Sequence, residues 1–362
     1  TLLLDKNKCL ENIRAMQNKA VLAGVKFRPH FKTHQSREVG NWFRDFGTDR
    51  IAVSSLRMAA YFAADNWKDI TVAIPVNLRE MDLINDLAGK TKLNLAAESL
   101  ESLQYLDKKL SGAVNIVIEI DPGYHRTGLE WDQTATIDEM IAFIQQSDYL
   151  HFEGLLSHAG HSYYARNQSE ILTIHKESTD LFQKFAERYR STFPNIAMSL
   201  GDTPTCSTAD SFPGATEIRP GNFVFYDLTQ HYIGACNKEQ IAVAMACPVI
   251  ASHPSRNQLI IYGGGVHFSK DKFQTNDGTA SFGEMVFLNP DGSWEIPKTP
   301  IQVISLSQEH GIIQGDSTLL EKFRPGDLVG VLPIHSCMTA DCMKSYLSLD
   351  GKKIDMFKTY EW

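Results

Sequence analysis

Cysteine is scarce in this chain of 362 residues, and no two cysteines form a closely spaced pair of the CxxC kind. Small secreted domains that rely on disulfides are short and dense in cysteine, so this usage indicates a reduced chain. We therefore expect a cytoplasmic protein. The six cysteines are Cys9, Cys206, Cys236, Cys247, Cys337 and Cys342.

Long hydrophobic runs and basic blocks are also missing. No apolar run approaches the ~20 residues that a membrane-spanning helix needs. The net charge is -8, and no segment is rich in lysine and arginine. Neither a membrane nor nucleic acid is therefore expected as a partner, and a small molecule is the better candidate.

The first 235 residues alternate between short apolar runs and amphipathic stretches, which predicts repeated βα units. Eight such units over ~200–250 residues are typical of a closed parallel barrel. A doubly wound open sheet is the alternative, but no GxGxxG segment follows the first run. The eight predicted strands are residues 25–31, 51–54, 70–75, 93–97, 114–121, 152–157, 196–200 and 217–225.

After residue 235 the pattern changes to strand-like runs separated by turns rich in glycine, proline and asparagine. The fold class is therefore α/β, with an N-terminal (β/α)8 TIM-type barrel and a C-terminal mostly-β domain. We place the barrel at residues 6–235 and the β domain at residues 236–362, with residues 1–5 packing against the latter. The predicted C-terminal strands include residues 241–250, 258–262, 303–305 and 328–332.

Lys32 lies where the first predicted barrel strand runs into its loop. Barrel enzymes carry out their chemistry at this end of the strands, and a lysine there can hold an aldehyde cofactor as a Schiff base. An ordinary surface lysine in a βα loop is the alternative. The loops after the seventh and eighth strands, residues 201–205 (GDTPT) and 219–222 (RPGN), favour the cofactor. Their backbone N–H groups can cradle a phosphate.

Other polar side chains fall at the ends of the fifth and sixth predicted strands. Arg126, in residues 121–128 (DPGYHRTG), can reach a phenolate oxygen or a carboxylate. Residues 157–164 (SHAGHSYY) supply two histidines and two tyrosines that can act as a base or stack on a ring. Loop salt bridges and hydrogen-bonded loop histidines are the alternatives.

His335 and Cys337 lie two residues apart in residues 333–341 (PIHSCMTAD). An imidazole and a thiolate at this spacing can bind one zinc ion from one side. A buried cysteine that happens to neighbour a histidine is the simpler reading. A structural zinc site made with Cys342 would need two more ligands nearby, and the sequence does not offer them.

Taken together, these segments resemble the family of D-threonine aldolases and eukaryotic-type D-serine dehydratases, which are similar to alanine racemases. The resemblance extends from near residue 1 to beyond residue 342. It rests on residues 28–34 (RPHFKTH), 121–128, 160–163 (GHSY), 201–205, 217–222 (EIRPGN) and 335–337 (HSC).

The resemblance implies a pyridoxal phosphate cofactor attached to Lys32. It implies that the N–H groups of Gly221 and Asn222, helped by Thr203 or Thr205, hold the phosphate. Arg126 is implied beside the phenolic oxygen or the substrate.

Either Tyr163 or Arg219 is implied to face the pyridine nitrogen, and the sequence does not choose between them. The metal pair is implied to be His335 and Cys337, with Zn²⁺ as the ion and Mn²⁺ or another divalent ion as the alternative. The aldolases read His-x-Asp at this point and the dehydratases His-x-Cys, so the resemblance favours dehydration.

The implied function is therefore a lyase acting on D-3-hydroxy amino acids, most similar to D-serine dehydratase and giving a 2-oxo acid and ammonia. The first alternative is a D-threonine aldolase-type enzyme with His161 as the base. A non-catalytic pyridoxal phosphate-binding protein is the alternative from another class. The resemblance also implies a homodimer.

Overall fold

A computed structural model of the chain describes residues 1–274 and 278–358. Contacts divide it into two compact units. The barrel unit is Arg14–Gly221, and the β unit combines Thr1–Ile13 with Asn222–Lys358. The units therefore meet in sequence between Gly221 and Asn222. The boundary placed near residue 235 from the sequence lies later in the chain than this one. Short helical turns occupy much of residues 222–240 and resemble the preceding βα pattern.

The strands of the described residues are, in chain order, β1 (Leu2–Leu4), β2 (Lys26–Phe27), β3 (Arg50–Val53), β4 (Asp69–Pro75), β5 (Lys92–Ala97), β6 (Val114–Asp121), β7 (Leu129–Glu130), β8 (Leu150–Ser157), β9 (Ala197–Leu200), β10 (Glu217–Ile218), β11 (Val243–His253), β12 (Gln258–Tyr262), β13 (Phe273–Gln274), β14 (Ala280–Ser281), β15 (Gly283–Leu288), β16 (Trp294–Glu295), β17 (Gln302–Leu306), β18 (His310–Gln314), β19 (Leu328–Pro333), β20 (Ser345–Ser348) and β21 (Lys353–Asp355).

The α-helices are α1 (Lys6–Leu22), α2 (Arg37–Arg44), α3 (Leu56–Ala63), α4 (Met81–Ala88), α5 (Leu100–Lys109), α6 (Thr134–Ile144), α7 (Gln168–Tyr189), α8 (Thr203–Thr208), α9 (Leu228–Tyr232), α10 (Gly265–Phe268), α11 (Ser317–Leu320) and α12 (Ser336–Met343). Short 3₁₀ helices lie at Leu78–Glu80, Gly160–Tyr164, Asn222–Val224, Lys238–Gln240 and Pro254–Arg256.

The barrel unit is built around a parallel sheet in the order β2-β10-β9-β8-β6-β5-β4-β3. A parallel bridge between His30 and Ala52 links the chain just after β2 to β3 and brings the sheet close to closure. Each predicted strand overlaps a strand of this sheet, so the predicted barrel is confirmed. The first and eighth strands are shorter than the predicted residues 25–31 and 217–225, and residues 222–224 of the latter form a 3₁₀ helix. Side chains from neighbouring strands, such as Ala96, Val117 and Leu156, fill its core.

Capping residues make several strand-to-helix turns short. The hydroxyl of Ser55 accepts the backbone N–H of Met58 at the start of α3, and Ser99 does the same for α5. These side chains satisfy amide groups that the first helical turn leaves without partners.

An ion cluster fills the amino-terminal end of the barrel. The guanidinium of Arg28 lies 2.6 Å from the carboxylate of Asp69 and 2.8 Å from that of Glu217, and Arg28 and Glu217 are buried. Asp69 and Glu217 are the first residues of β4 and β10. The opposite, carboxyl-terminal ends of the strands carry the polar loops that the sequence analysis selected.

The β unit has a mostly antiparallel sheet in the order β12-β18-β17-β15-β19-β11-β1-β20-β21. A further pairing of β12 with β11 closes six of these strands into a ring, which removes exposed edges. The N-terminal strand β1 lies in this sheet between β11 and β20. The predicted mostly-β domain is confirmed, and α12 follows directly after β19 and the short turn at His335.

Candidate active site

Lys32 lies in a turn directly after β2, and the core fixes the start of that turn. The ring of Phe31 is fully buried and packs against Phe43 and Phe62, each with ring centroids 5.0 Å away. The backbone N–H of Lys32 donates to Nδ1 of His30 at 3.3 Å. The turn is therefore anchored just before the lysine, whose side chain is half-buried.

Two imidazoles lie within electrostatic range of Lys32. Burial, followed by the charge of Lys32, lowers the pKa of His158 to about 3 and that of His30 well below its usual value. Both rings are therefore neutral at physiological pH. Nδ1 of His158 contacts the carbonyl oxygen of Gly201, and since a carbonyl only accepts, Nδ1 carries the proton. We call His30, Lys32, His158 and Arg219 the lysine cluster.

Arg219 is the buried cation of this cluster, with 5% of its surface exposed. Its Nη2 donates to the carbonyl of Ser157 at 2.7 Å, but Nε and Nη1 have no hydrogen-bond partner among the described residues. Burial lowers the pKa of Arg219 to about 10. A side chain at Gly201 would collide with it, because a Cβ there would lie 2.8 Å from Nη1. The glycine therefore makes room for the guanidinium.

The two loops predicted to hold a phosphate lie against each other. The backbone N–H of Gly221 points to the hydroxyl of Thr203 at 3.3 Å, and the N–H of Thr203 points to the hydroxyl of Tyr163 at 3.2 Å. Asp202 engages both the N–H and the hydroxyl of Thr205, at 2.7 and 2.8 Å. Thr205 therefore donates both groups to Asp202, the capping residue of α8, whereas Thr203 and Gly221 face one another.

Arg126 is exposed, and its guanidinium lies 5.1 Å from the ring centre of Tyr124. Its charge contributes to the lowered pKa of His158 and His30, which places it near the lysine cluster. The ring of His161 stacks on the same Tyr124, with the two ring centroids 6.3 Å apart. Burial lowers the pKa of His161, but Lys32 is not among the groups that affect it.

His335 and Cys337, here called the ligand pair, lie in the β unit at the start of α12, where His335 is the capping residue. Nδ1 of His335 lies 3.0 Å from a carboxylate oxygen of Asp271. Burial lowers the pKa of His335, but hydrogen bonds with Asp271 and Cys337 outweigh it and raise that pKa to about 11. The imidazole is thus strongly basic beside the thiol.

A buried carboxylate supports the thiol side of the ligand pair. Asp227 is 1% exposed and accepts from Nδ2 of Asn222 at 2.6 Å and from the N–H of Ser336 at 3.0 Å. The same Nδ2 lies 3.5 Å from the sulfur of Cys337. Burial raises the pKa of Asp227. The side chain of Asn222 therefore serves the ligand pair, while its backbone follows the loop predicted to hold a phosphate.

No third histidine, cysteine, aspartate or glutamate of residues 1–274 and 278–358 joins the ligand pair with ligand atoms all within 4.8 Å. Cys342 is exposed and is not part of such a group. Two protein ligands would leave positions open on a tetrahedral ion, which suits a catalytic metal better than a structural one.

Another cluster of possible ligands, Asp121, His125 and Glu130, lies after β6 in the barrel unit. Asp121 accepts the backbone N–H groups of Gly123, Tyr124 and His125 at 2.8–2.9 Å. That carboxylate therefore organises the turn that carries Arg126.

Sequence reasoning missed several residues of these two sites. The sequence singled out both histidines of residues 157–164 but named only His161 as a base, yet it is His158 that lies near Lys32. The supporting carboxylates Asp227 and Asp271 gave no motif of their own. An aspartate directly before a short helix was the one available sign for Asp227, which caps α9.

Comparison with known proteins agrees with the fold. Residues 4–228 match the family model "Alanine racemase, N-terminal domain", and residues 242–349 match "Putative serine dehydratase domain". The chain belongs to the alanine racemase N-terminal domain family. The expected resemblance to the D-serine dehydratases and D-threonine aldolases is confirmed, and with it the expectation of an enzyme of the lyase class.

Two curated relatives match nearly the whole chain. A D-serine dehydratase from Dictyostelium discoideum is 28% identical over 98% of this chain and 93% of its own length. A D-threo-3-hydroxyaspartate dehydratase from Delftia sp. (strain HT23) is 27% identical over 99% of this chain and 96% of its own.

The solved structure of the Delftia enzyme superposes with a TM-score of 0.90 at 26% identity, covering 99% of this chain and 97% of that one. Two further solved structures of a D-threo-3-hydroxyaspartate dehydratase replace a histidine and a cysteine, two positions apart, by alanine, and the structure with the cysteine replaced is of the metal-free form. That spacing is the spacing of His335 and Cys337.

Across the described residues, the helices are too short or too polar for any of them to cross a lipid bilayer.

Proposed function

We propose that the protein is a pyridoxal phosphate- and metal-dependent lyase that converts D-3-hydroxy amino acids into 2-oxo acids and ammonia, as a D-serine dehydratase does. The observation that carries this proposal is the lysine cluster, in which a half-buried lysine lies near two neutral imidazoles and a buried, incompletely paired guanidinium. The names of the full-length relatives support the choice of reaction.

The residues of the barrel unit fit the cofactor. The N–H groups at Nε and Nη1 of Arg219 are buried without a partner among the described residues, so they call for an acceptor such as a pyridine nitrogen. The hydroxyl of Tyr163 accepts the N–H of Thr203 and keeps its O–H to donate, so that contact does not decide between the two residues. The N–H groups at Nε and Nη1 decide, and we assign the pyridine nitrogen to Arg219. Thr203, Gly221 and the backbone N–H of Asn222 are assigned to the phosphate.

Lys32 is assigned two tasks, to hold the cofactor through its amine and to remove the proton from Cα of the substrate. Neutral His158, whose proton is on Nδ1, can accept a hydrogen bond from its ammonium at Nε2. In His30 the acceptor Nδ1 already takes the backbone N–H of Lys32, so this ring contributes only by being neutral, whereas a protonated ring would repel the ammonium. Arg126 is assigned to the phenolic oxygen or to the substrate carboxylate. When bound, pyridoxal phosphate supplies an electron sink for the negative charge that develops at Cα.

The ligand pair fits a zinc ion. Imidazole and thiolate are donors that zinc prefers, while a harder ion such as Mn²⁺ suits oxygen donors better. The metal-free form of a D-threo-3-hydroxyaspartate dehydratase with a cysteine replaced by alanine supports a metal ion at this pair, without indicating which ion. Bound zinc supplies Lewis acidity that makes hydroxide a better leaving group. The side-chain amide of Asn222 donates an N–H to the sulfur of Cys337, which favours the thiolate form of this cysteine.

A D-threonine aldolase-type reaction is the second candidate. It needs a base that removes the proton of the β-hydroxyl group. His161 could serve, because burial lowers its pKa and its buried Nδ1 has no hydrogen-bond partner among the described residues. The products formed from one substrate distinguish the two reactions, because dehydration gives a 2-oxo acid and ammonia whereas the aldolase reaction gives glycine and an aldehyde.

We further propose that the protein works as a homodimer, the commonest closed assembly of a single chain. Sedimentation of the active enzyme tests this, and a fully active monomer would disprove it.

The function is tested with cofactor-loaded protein and D-serine. We expect pyruvate and ammonia from the parent, and a loss on the order of a hundredfold or more after chelation or in Cys337→Ala, the scale of several kcal/mol of Lewis-acid stabilisation. Cofactor content and yellow colour should survive both treatments. Cys342→Ala is the matched control and should stay active.

Lys32→Ala completes the experiment. Borohydride should fix the cofactor to the parent and not to this variant. Covalently fixed cofactor in Lys32→Ala would overturn the lysine assignment, and full activity of metal-free protein would overturn the role of the ligand pair.

A further inference from the structure

Ser269 adopts a backbone conformation that is unusual for any residue with a side chain. Its φ is 69° and its ψ is −169°, a combination that is almost confined to glycine. Such a conformation persists only where the surrounding structure holds it, and it often occurs at functional sites. Ser269 ends α10, directly after Phe268.

The neighbouring helix α12 holds this segment. The hydroxyl of Thr339 lies 3.1 Å from the carbonyl oxygen of Phe268 and 3.2 Å from that of His335. Thr339 is completely buried. One side chain therefore ties the residue before Ser269 to the capping residue of α12, which is a member of the ligand pair.

The strained turn places Asp271 next to that ligand. The hydroxyl of Ser269 accepts the backbone N–H of Asp271 at 3.2 Å and donates to its Oδ2 at 3.1 Å. The same Oδ2 lies 3.0 Å from Nδ1 of His335. Three residues thus form a chain of contacts in which Ser269 fixes the carboxylate and the carboxylate fixes the imidazole.

The chemistry of this contact decides what Asp271 does. An imidazole whose Nδ1 is occupied by a carboxylate has only Nε2 left for a metal ion, and the carboxylate fixes the ring orientation and makes the ring a better donor. Among the described residues Asp271 does not form a three-member ligand group with His335 and Cys337. Asp271 therefore touches the ligand and not the ion.

We infer that Asp271 is a positioning residue that presents Nε2 of His335 to the metal ion, and that the strained backbone of Ser269 is retained to hold Asp271 in place. This inference rests on the proposed function, since it takes His335 as a metal ligand. It adds an aspartate and a serine to the residues on which metal binding depends.

The test measures metal affinity directly, without using turnover. Cofactor-loaded protein is stripped of metal and titrated with Co²⁺, whose thiolate charge-transfer absorption reports binding, and the affinity for Zn²⁺ is then measured by competition with a chromophoric chelator. The variants are Asp271→Ala, Asp271→Asn and Ser269→Ala. The matched control is Asp291→Asn, because Asp291, like Asp271, accepts the hydroxyl of a nearby serine, Ser293, but contacts no proposed ligand.

We expect Asp271→Ala to bind both ions about 10–100-fold more weakly than the parent, the range found for residues that orient metal ligands. The metal affinities of Asp271→Asn and Ser269→Ala should lie between those of Asp271→Ala and the parent. Asp271→Asn keeps a hydrogen-bond acceptor, and Ser269→Ala keeps the carboxylate. Asp291→Asn should match the parent. The melting temperature of the metal-free protein and the cofactor absorbance should change little in Asp271→Ala, which separates positioning from a general structural role.

Metal affinity of Asp271→Ala within twofold of the parent would overturn the inference, and so would a loss explained by unfolding of the metal-free variant. His335→Ala separates this failure from that of the proposed function. If the parent binds metal and His335→Ala does not, only the role of Asp271 is wrong. If the parent binds no metal, or if His335→Ala binds metal as tightly as the parent, both the metal assignment and the inference are wrong.

Discussion

The side-chain nitrogen Nδ2 of Asn222 lies 3.5 Å from the sulfur of Cys337 and 2.6 Å from a carboxylate oxygen of Asp227. A neutral amide donor is thus aimed at the sulfur, and a buried carboxylate fixes its direction. The residue that the sequence linked to a phosphate through its backbone therefore has a separate task for its side chain.

Replacing Asn222 by alanine should separate these two tasks. The backbone N–H remains, so we expect cofactor content to stay near that of the parent. The sulfur loses its donor, so metal affinity should fall by about tenfold or more. Metal per chain after dialysis and cofactor absorbance measure both quantities. Loss of cofactor with retention of metal would contradict this account.

Arg219→Met should weaken cofactor binding without destabilising the metal-free, cofactor-free protein. The guanidinium is buried with two nitrogens lacking partners among the described residues, and such groups cost roughly 1–3 kcal/mol each when left unpaired. Burial raises the pKa of the nearby Glu119 and the charge of Arg219 opposes that rise, so loss of the arginine should raise the pKa of Glu119 further. Thermal melting and cofactor titration test this, and a large drop in melting temperature would argue for a structural arginine.

His158 should make the stability of the apoprotein depend on pH. Its pKa is about 3 in the folded chain against 6.5 in the unfolded chain, so the unfolded chain takes up the proton first as the pH falls. The contribution of His158 to the free energy of unfolding is therefore fully present above pH 6.5. It falls below that pH, by roughly 2 kcal/mol at pH 5. His158→Asn should flatten the dependence measured by urea unfolding. His151→Asn, at an exposed position, is the control and should leave the slope as it is.

Arg28→Met should be among the most destabilising changes in the barrel unit. It leaves the carboxylates of Asp69 and Glu217 without their cation in a buried place, and breaking a buried pair in this way costs about 3–5 kcal/mol. Arg166→Ala breaks an exposed ion pair with Glu170 and should produce no measurable change in urea unfolding. Equal changes in the free energy of unfolding for the two variants would show that the ion cluster does not stabilise the fold.

Periodicity alone predicted the barrel because each buried strand is a short apolar run between polar loops. Residues 114–121 coincide with β6, and residues 258–262 with β12. The packing of residues 1–5 against the β domain is expected from the sequence, but a strand as short as Leu2–Leu4 does not reveal from its own sequence which strand, more than 200 positions away, it pairs with.

The candidate site was predictable where a motif places reactive groups close together in sequence, as with Lys32 and with His335 and Cys337. It was not predictable where a residue acts through tertiary contacts. Asp271 lies 64 positions before His335, and no spacing links them. The strain at Ser269 depends on φ and ψ, which its sequence neighbours do not indicate.

The central claim is that this chain eliminates water from D-3-hydroxy amino acids. The most direct measurement is to give the zinc- and cofactor-loaded protein D-threonine and to quantify all products. Dehydration gives 2-oxobutanoate and ammonia in equal amounts, and this is the result we predict. Glycine and acetaldehyde in equal amounts, with no ammonia, would contradict the account and identify an aldolase.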